Sequence, residues 1–334
     1  MKDRIESIAA LEAVIGATPP PVNFKVIDHL DAHALRWLTA SPLMFAAFGN
    51  GSSIAVTLGG GAPGFCIAEA GGLRLPVDML DDPGLARSGI GFGSLWLAPG
   101  IGETLRINGR VADVGDGAIA IAVEECYVHC AKALIRSDFW AAAPLEAISG
   151  DAADFVAASR FMALATVDPS GRTDLSPKGD PAGSLARIED GQLWFADRPG
   201  NRRADSFRNI LAQPRVAAAL LVPGSDQLAL VSGSAQLTTD ADARAAFRVQ
   251  EKTPLLAIGV GDATIALRHS PALARARLWP SGGRPDGIEP AKIFAAHVRL
   301  NKDRSLAARV AGAVVSIPGL LRRGLEKDYK SNLY

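Results

Sequence analysis

The chain has few cysteines, no net charge and no long hydrophobic run. Three cysteines in 334 residues (Cys66, Cys126 and Cys130) make no disulfide framework and suit a reducing cytoplasm. Lysine plus arginine equals aspartate plus glutamate at 35 each, so no global field draws in nucleic acid or an anionic membrane. Any basic site must therefore be local. The longest apolar runs, near 217–222 and 310–321, fall short of the roughly 20 residues that a membrane span needs. The opening Met1-Lys2-Asp3-Arg4 carries an acid and no apolar core, so no signal peptide is expected. Cys126, His129 and Cys130 offer only three metal ligands with no second cluster, so no metal is expected. A Ser/His/Asp arrangement, a Walker loop and a Rossmann glycine fingerprint are all missing.

What is present is an internal repeat. Ala40-Ser41-Pro42-Leu43-Met44 reads against Ala158-Ser159-Arg160-Phe161-Met162. Leu97-Ala98-Pro99-Gly100 reads against Leu221-Val222-Pro223-Gly224, and Gly109 then meets Gly233 without a gap. Ala133-Leu134, Arg136 and Trp140 read against Ala272-Leu273, Arg275 and Trp279. Such self-similarity resets the count of units, and it agrees with about two domains for this length.

The spacing of Ile27, Leu30, Ala34 and Trp37/Leu38 predicts a helix over Lys25–Ala40. Short β-like runs follow at Leu43–Phe48, Ile54–Leu58, Phe65–Glu69, Leu73–Val77, Ile90–Ala98, Thr104–Val114 and Ala118–Tyr127. Breaks such as Gly59-Gly60-Gly61, read as a turn, separate them, which argues for a small antiparallel barrel. A helix over His129–Trp140 closes the copy, and the second copy repeats the plan with an inserted helix near Asn201–Gln213. The expected division is 1–140 for the N-terminal helices and first barrel, 151–279 for the second barrel, and 285–334 for a helical extension.

Two places carry candidate chemistry. In the second copy, Asp174-Leu-Ser-Pro-Lys178-Gly-Asp-Pro is followed by Asp197-Arg-Pro-Gly-Asn201-Arg202-Arg203-Ala-Asp-Ser206. Asn201 reads as an N-cap, which puts Arg202 and Arg203 in the first helical turn, the unfavourable end for cations. A phosphate dianion would reconcile free N–H groups, two guanidinium groups and a lysine. The alternative is a solvated basic turn partly neutralised by Asp197 and Asp205. At the equivalent place the first copy has the shorter, acidic Val77-Asp78-Met79-Leu80-Asp81-Asp82. In the first copy, His129, Lys132, Arg136 and Trp140 fall at i, i+3, i+7 and i+11 and would share a helix face. That face suits a flat anionic ligand, or else it is a wet surface with Trp140 in the core.

At these residues the chain resembles the pyridoxamine 5′-phosphate oxidase-like FMN-binding split-barrel family. The two second-copy segments and Asn209-Ile-Leu-Ala-Gln-Pro-Arg215-Val look like that family's phosphate region. Gly102–Arg110 and Glu124–Ser137 look like its later strands and closing helix, and the likeness spans roughly Lys25 to Trp279 in two passes. The resemblance implies a mainly β (α+β) fold: two tandem split β-barrels forming an intrachain pseudo-dimer, with a helical C-terminal tail. It implies one FMN between the copies, whereas family members usually pair two subunits around it. Ser176, Lys178, Asn201, Arg202 and Arg203, with Asp197 beside them, would hold the phosphate and ribityl chain. Glu103, Thr104, His129, Lys132 and Arg136 would come from the other copy. The implied activity is that of an FMN-dependent oxidoreductase with a small-molecule substrate or electron donor such as NAD(P)H, monomeric or homodimeric. A non-catalytic flavin- or haem-binding protein is the alternative. No Arg-Leu-His-Asp-Arg-like segment for a second, substrate phosphate is present, so pyridoxamine phosphate oxidation itself is not expected.

Overall fold

A computed structural model describes residues 3–19, 22–145, 148, 150–200, 202–301 and 320–334. A short strand β1 (Arg4–Ile5) and helix α1 (Ile8–Ile15) lead to α2 (Ala32–Thr39). The first sheet comprises β2 (Leu43–Asn50), β3 (Ser53–Gly60), β4 (Ile67–Glu69), β5 (Gly72–Pro76), β6 (Gly91–Leu97), β7 (Thr104–Gly115) and β8 (Ala118–His129). Its order is β3-β2-β6-β7-β8-β5-β4, and α3 (Lys132–Arg136) follows it. After α4 (Ala152–Ala158), the second sheet comprises β9 (Phe161–Val167), β10 (Thr173–Gly179), β11 (Ala186–Glu189), β12 (Gln192–Ala196), β13 (Arg215–Leu221), β14 (Gln227–Thr238) and β15 (Ala257–His269). It runs β10-β9-β13-β14-β15-β12-β11. The two orders are the same order, one copy later. The fold is thus two tandem split β-barrels, each built on an antiparallel sheet of the same strand order.

Smaller details repeat as well. Ser41 and Ser159 each donate a hydroxyl to the carbonyl four residues back, Trp37 at 2.9 Å and Phe155 at 2.8 Å. The aligned glycines Gly109 and Gly233 both sit at a register shift between the two longest strands of their sheet. A Cβ at Gly109 would lie 2.0 Å from the Ala122 carbonyl oxygen, so only glycine fits that bulge.

Strand residues alternate between two cores. Met44, Ala46 and Phe48 fill the first barrel, while Leu43, Phe45 and Ala47 point outward. Those outward side chains meet Phe161, Ala163 and Ala165 of the second copy in a shared apolar layer, where the Phe45 and Phe161 rings lie 5.3 Å apart. Burial on both faces explains why these strands read as continuous apolar runs.

The predicted helix over Lys25–Ala40 is shorter than expected. It starts at Ala32 because Asp31 accepts the Ala34 N–H at 2.8 Å and so caps it. Gly59 and Gly60 do not form the expected turn; they continue β3 beside the second copy. The terminal elements cross over. Helix α1 packs Leu11, Val14 and Ile15 against the second barrel, while α8 (Pro290–Leu300) packs Ile293 against the first. Between them lie α5 (Asp205–Ala212), α6 (Ala241–Ala245) and α7 (Pro271–Ala276), and α9 (Leu320–Ser331) ends the described chain. The expected 310–321 run lies almost wholly outside the described residues. No helix among the described residues is long and apolar enough to cross a membrane.

Candidate functional site

Where the two copies meet, the sheets interlock through charge. Asp174, Ser176 and Lys178 alternate along β10 and share one of its faces. Opposite them in the first copy, Arg106 on β7 and Tyr127 on β8 are register partners, with Arg106 Nη1 donating to Tyr127 Oη at 2.8 Å. Arg106 forms a buried ion pair with Asp174, and the Arg203 guanidinium stacks over the Tyr127 ring at 4.4 Å. Asp174 also accepts from Ser206 Oγ at 2.9 Å, and Ser206 meets Ser176 at 2.7 Å. Each buried charge therefore has a partner from the other copy or the next strand, as burial requires.

This lattice forms the back of a cavity of about 790 Å³. The first copy supplies Arg106, His129, Lys132 and Arg136 to its wall; the second supplies Ser176, Lys178, Arg198, Arg202, Arg203 and Ser206. Among the described lining residues, eight lysine and arginine side chains face four aspartates, in a protein with no net charge overall. The positive excess is local. It makes the hollow a trap for an anion.

Most of the residues anticipated from sequence are brought together here: Ser176, Lys178, Asp197, Arg202, Arg203, His129, Lys132 and Arg136 all line the cavity. Asn201 lies outside the described residues. Glu103 and Thr104 do not line it. Thr104 is buried as the ladder partner of His129, and Glu103 accepts a hydrogen bond from Tyr329 Oη at 3.2 Å. Arg106 and Arg198 join the lining without a signal in the sequence, since a lone arginine in a strand or a loop carries no pattern of its own.

Three local expectations need correction. His129 is not on a helix with Lys132 and Arg136: the β7–β8 ladder extends through the Thr104–His129 pair, and α3 is only five residues long. Trp140 does not reach the cavity; its Nε1 donates to the Ile101 carbonyl at 2.6 Å, and its ring packs edge-on to Phe139. Nor do Arg202 and Arg203 lie in a first helical turn. Ala204 takes a left-handed conformation (φ 55°) as N-cap, so α5 begins at Asp205 and both arginines precede it. No side chain caps α5, and its first turn lines the cavity. The partial positive charge of that helix start adds to the positive potential.

The electrostatics of individual groups follow from burial. Burial lowers the Lys178 pKa, with the nearby Asp197 carboxylate, 3.7 Å away, pulling the other way. Burial likewise raises Asp180, against Arg198, whose Nε donates to it at 2.8 Å. His129 is held well below its ordinary value by burial and by Arg106, Lys25 and Arg203, so its imidazole is neutral near pH 7. Among the described residues, no three His, Cys, Asp or Glu side chains are grouped as a metal ion would need.

Residues 148–264 match the family described as Pyridoxamine 5′-phosphate oxidase. That match falls on the second copy of the repeat and covers about a third of the chain. No curated relative matches it. Similar solved structures include HupZ of Group A Streptococcus (15% identity, 37% of this chain and 98% of that one, TM-score 0.30). General Stress Protein 26 of Bacillus anthracis is another (16%, 35% and 95%, TM-score 0.27). A third is a pyridoxamine 5′-phosphate oxidase-related, FMN binding protein of Nostoc punctiforme (17%, 35% and 85%, TM-score 0.23). At TM-scores this low, they bear on neither fold nor function.

Proposed function

We propose that the cavity between the copies holds one FMN per chain and that the protein uses it as an oxidoreductase on a small molecule. One observation carries this reading: the cationic wall is assembled from both copies around one hollow, in a chain whose second copy matches the Pyridoxamine 5′-phosphate oxidase family. The residues fit the group. Arg202, Arg203 and Lys178, with the uncapped start of α5, offer charge-assisted donors for a phosphate, and the Ser176 and Ser206 hydroxyls stand beside them. From the first copy come a neutral imidazole (His129) and two cations (Lys132 and Arg136). His129 thus serves as a hydrogen-bonding group, and Lys132 and Arg136 supply positive charge toward an anionic ring or an acidic substrate. Bound FMN supplies hydride and electron transfer, which no side chain here can provide.

At the start of α7, the counterpart of α3 in the second copy, the chain places a carboxylate of its own, which disfavours a second anion there. Asp81 accepts from Ser270 Oγ and from the Ala272 N–H (2.8 Å) at the start of α7. This supports a stoichiometry of one.

The test is to denature the purified protein, identify any released small molecule by mass spectrometry, and titrate the emptied protein with FMN. One equivalent of FMN per chain is expected, with anaerobic bleaching of the flavin by NADH or NADPH. Replacing Arg202 and Arg203 together by alanine should weaken FMN at least about a hundredfold, two charge-assisted hydrogen bonds being worth roughly 3 kcal/mol or more. Two equivalents per chain would refute the single site. A Soret band from bound haem without flavin would replace FMN by the binding-protein alternative.

A further inference from the structure

The end of the described chain lines part of the cavity through Asp328, Asn332 and Tyr334. Asp328 on α9 pairs with Lys132 at 2.9 Å. Tyr329 Oη accepts the Ala131 N–H at 3.3 Å at the start of α3. The Leu333 carbonyl accepts from Arg136 Nη1 at 2.8 Å, and the Tyr334 ring lies over the Arg198 guanidinium at 5.7 Å. Lys252 Nζ donates to the Tyr334 main-chain oxygen at 2.7 Å. One short segment thus engages cations of both barrels.

Lys132 and Arg136 have side chains only 5% and 6% exposed, and both face the anion cavity. A buried cation needs a counter-charge or an acceptor. The tail gives Lys132 its counter-charge, from an Asp328 still 43% exposed, and gives Arg136 one more acceptor beside the Gly179 carbonyl and Asp180. An anionic ligand group arriving at Lys132 would sit beside the Asp328 carboxylate, and two like charges on one ammonium repel. The two therefore compete for Lys132.

We propose that residues 320–334 act as an internal competitor: Asp328 and the Leu333 carbonyl hold Lys132 and Arg136 until an anionic group of the ligand, a phosphate or a carboxylate, displaces them. This rests on the cavity being an anion site, as argued above, but it does not require that the ligand be a flavin. The exchange is cheap because it swaps polar contacts for polar contacts, and it shields the empty site without a separate lid domain.

Hydrogen–deuterium exchange of the full chain tests the idea, with FMN and inorganic pyrophosphate as separate probes and Asp328→Asn as the variant. Without ligand, Asp328→Asn should speed exchange across 320–334 relative to the parent chain. Saturating FMN or pyrophosphate should speed exchange there in the parent chain. Pyrophosphate should bind Asp328→Asn about fivefold more tightly, the equivalent of an ion pair worth about 1 kcal/mol. Unchanged exchange in the variant, slower exchange on ligand binding, or weaker binding by the variant would overturn the proposal and make the tail a fixed wall. So would failure of both probes to bind. If pyrophosphate binds and releases the tail while FMN does not bind, the competitor stands and the flavin reading falls.

Discussion

Lys25 carries an amine where water hardly reaches. It is 5% exposed, its Nζ donates to the Val128 carbonyl at 2.7 Å, and the Tyr127 and Phe294 rings lie 5.4 and 5.5 Å away. Burial lowers its pKa from 10.5 to about 8, helped by Arg203 and Arg106 and opposed by Cys130 and Glu103. Below about pH 8 both folded and unfolded chains hold this proton, and the burial penalty is fully felt. Between about 8 and 10.5 the unfolded chain binds more protons than the folded one, so stability rises with pH. Against Lys25→Met, whose background titrations cancel, the parent chain should gain roughly 1–2 kcal/mol between pH 7 and 9.5. Urea unfolding at the two pH values measures this, and a constant difference would refute it. At this scale the sequence was only partly legible. The Arg202-Arg203 pair stood out because two cations beside a predicted helix start demand an explanation. Lys25, Arg106 and Arg198 did not stand out, because what makes each unusual is the company it keeps across the barrel interface.

The elements were easier to read when their pattern was local. The strands of the first sheet were anticipated to within a few residues because apolar runs and glycine breaks mark them. Helix starts were less legible, since a left-handed Ala204 and a strand that runs on to His129 reflect tertiary contacts. Helix α5 is tied down on both flanks: Arg208 bonds Glu12 of α1 at 2.8 Å, and Thr18 Oγ1 donates to the Arg202 carbonyl at 2.8 Å. Its first turn is fixed to β10 through the buried Ser206 hydroxyl, shared by Asp174 and Ser176. Replacing Ser206 by alanine should therefore cost about 1–3 kcal/mol, because it strips a partner from a buried carboxylate. It should also weaken FMN, since Ser206 lines the cavity. Chemical denaturation alongside an FMN titration checks both, and a variant as stable as the parent would show the network to be dispensable.

For the whole molecule, the decisive feature is how closely the two copies approach. Arg136 Nε donates to the Gly179 carbonyl and Arg275 Nε to the Gly60 carbonyl, each at 2.9 Å, so aligned arginines make the same bond across a pseudo-twofold axis. A Cβ at Gly179 would fall 1.9 Å from the Ala133 carbonyl oxygen, and one at Gly60 would fall 2.4 Å from that of Ala272. Both contacts are backbone, which cannot swing aside. Gly179→Ala should thus push the copies apart, cost about 1–3 kcal/mol as overpacking does, and lower ligand affinity. Gly71→Ala, whose Cβ would meet nothing within 4 Å, serves as the control and should leave both unchanged. Thermal unfolding of the two variants decides the matter: equal stabilities would mean that the interface can yield.

The sequence by itself determined the repeat, the strand plan of each barrel and the basic segment, because each is written in neighbouring residues and in matching spacings between the copies. Only the tertiary structure decided that α1 packs on the second barrel and α8 on the first. It also decided that Arg106 answers Asp174, and that Asp328 reaches back to Lys132. The physical reason is range. Periodicity and turn chemistry act over a few residues, whereas a buried charge is satisfied by whichever partner the packing of two barrels brings beside it, however far away in the chain.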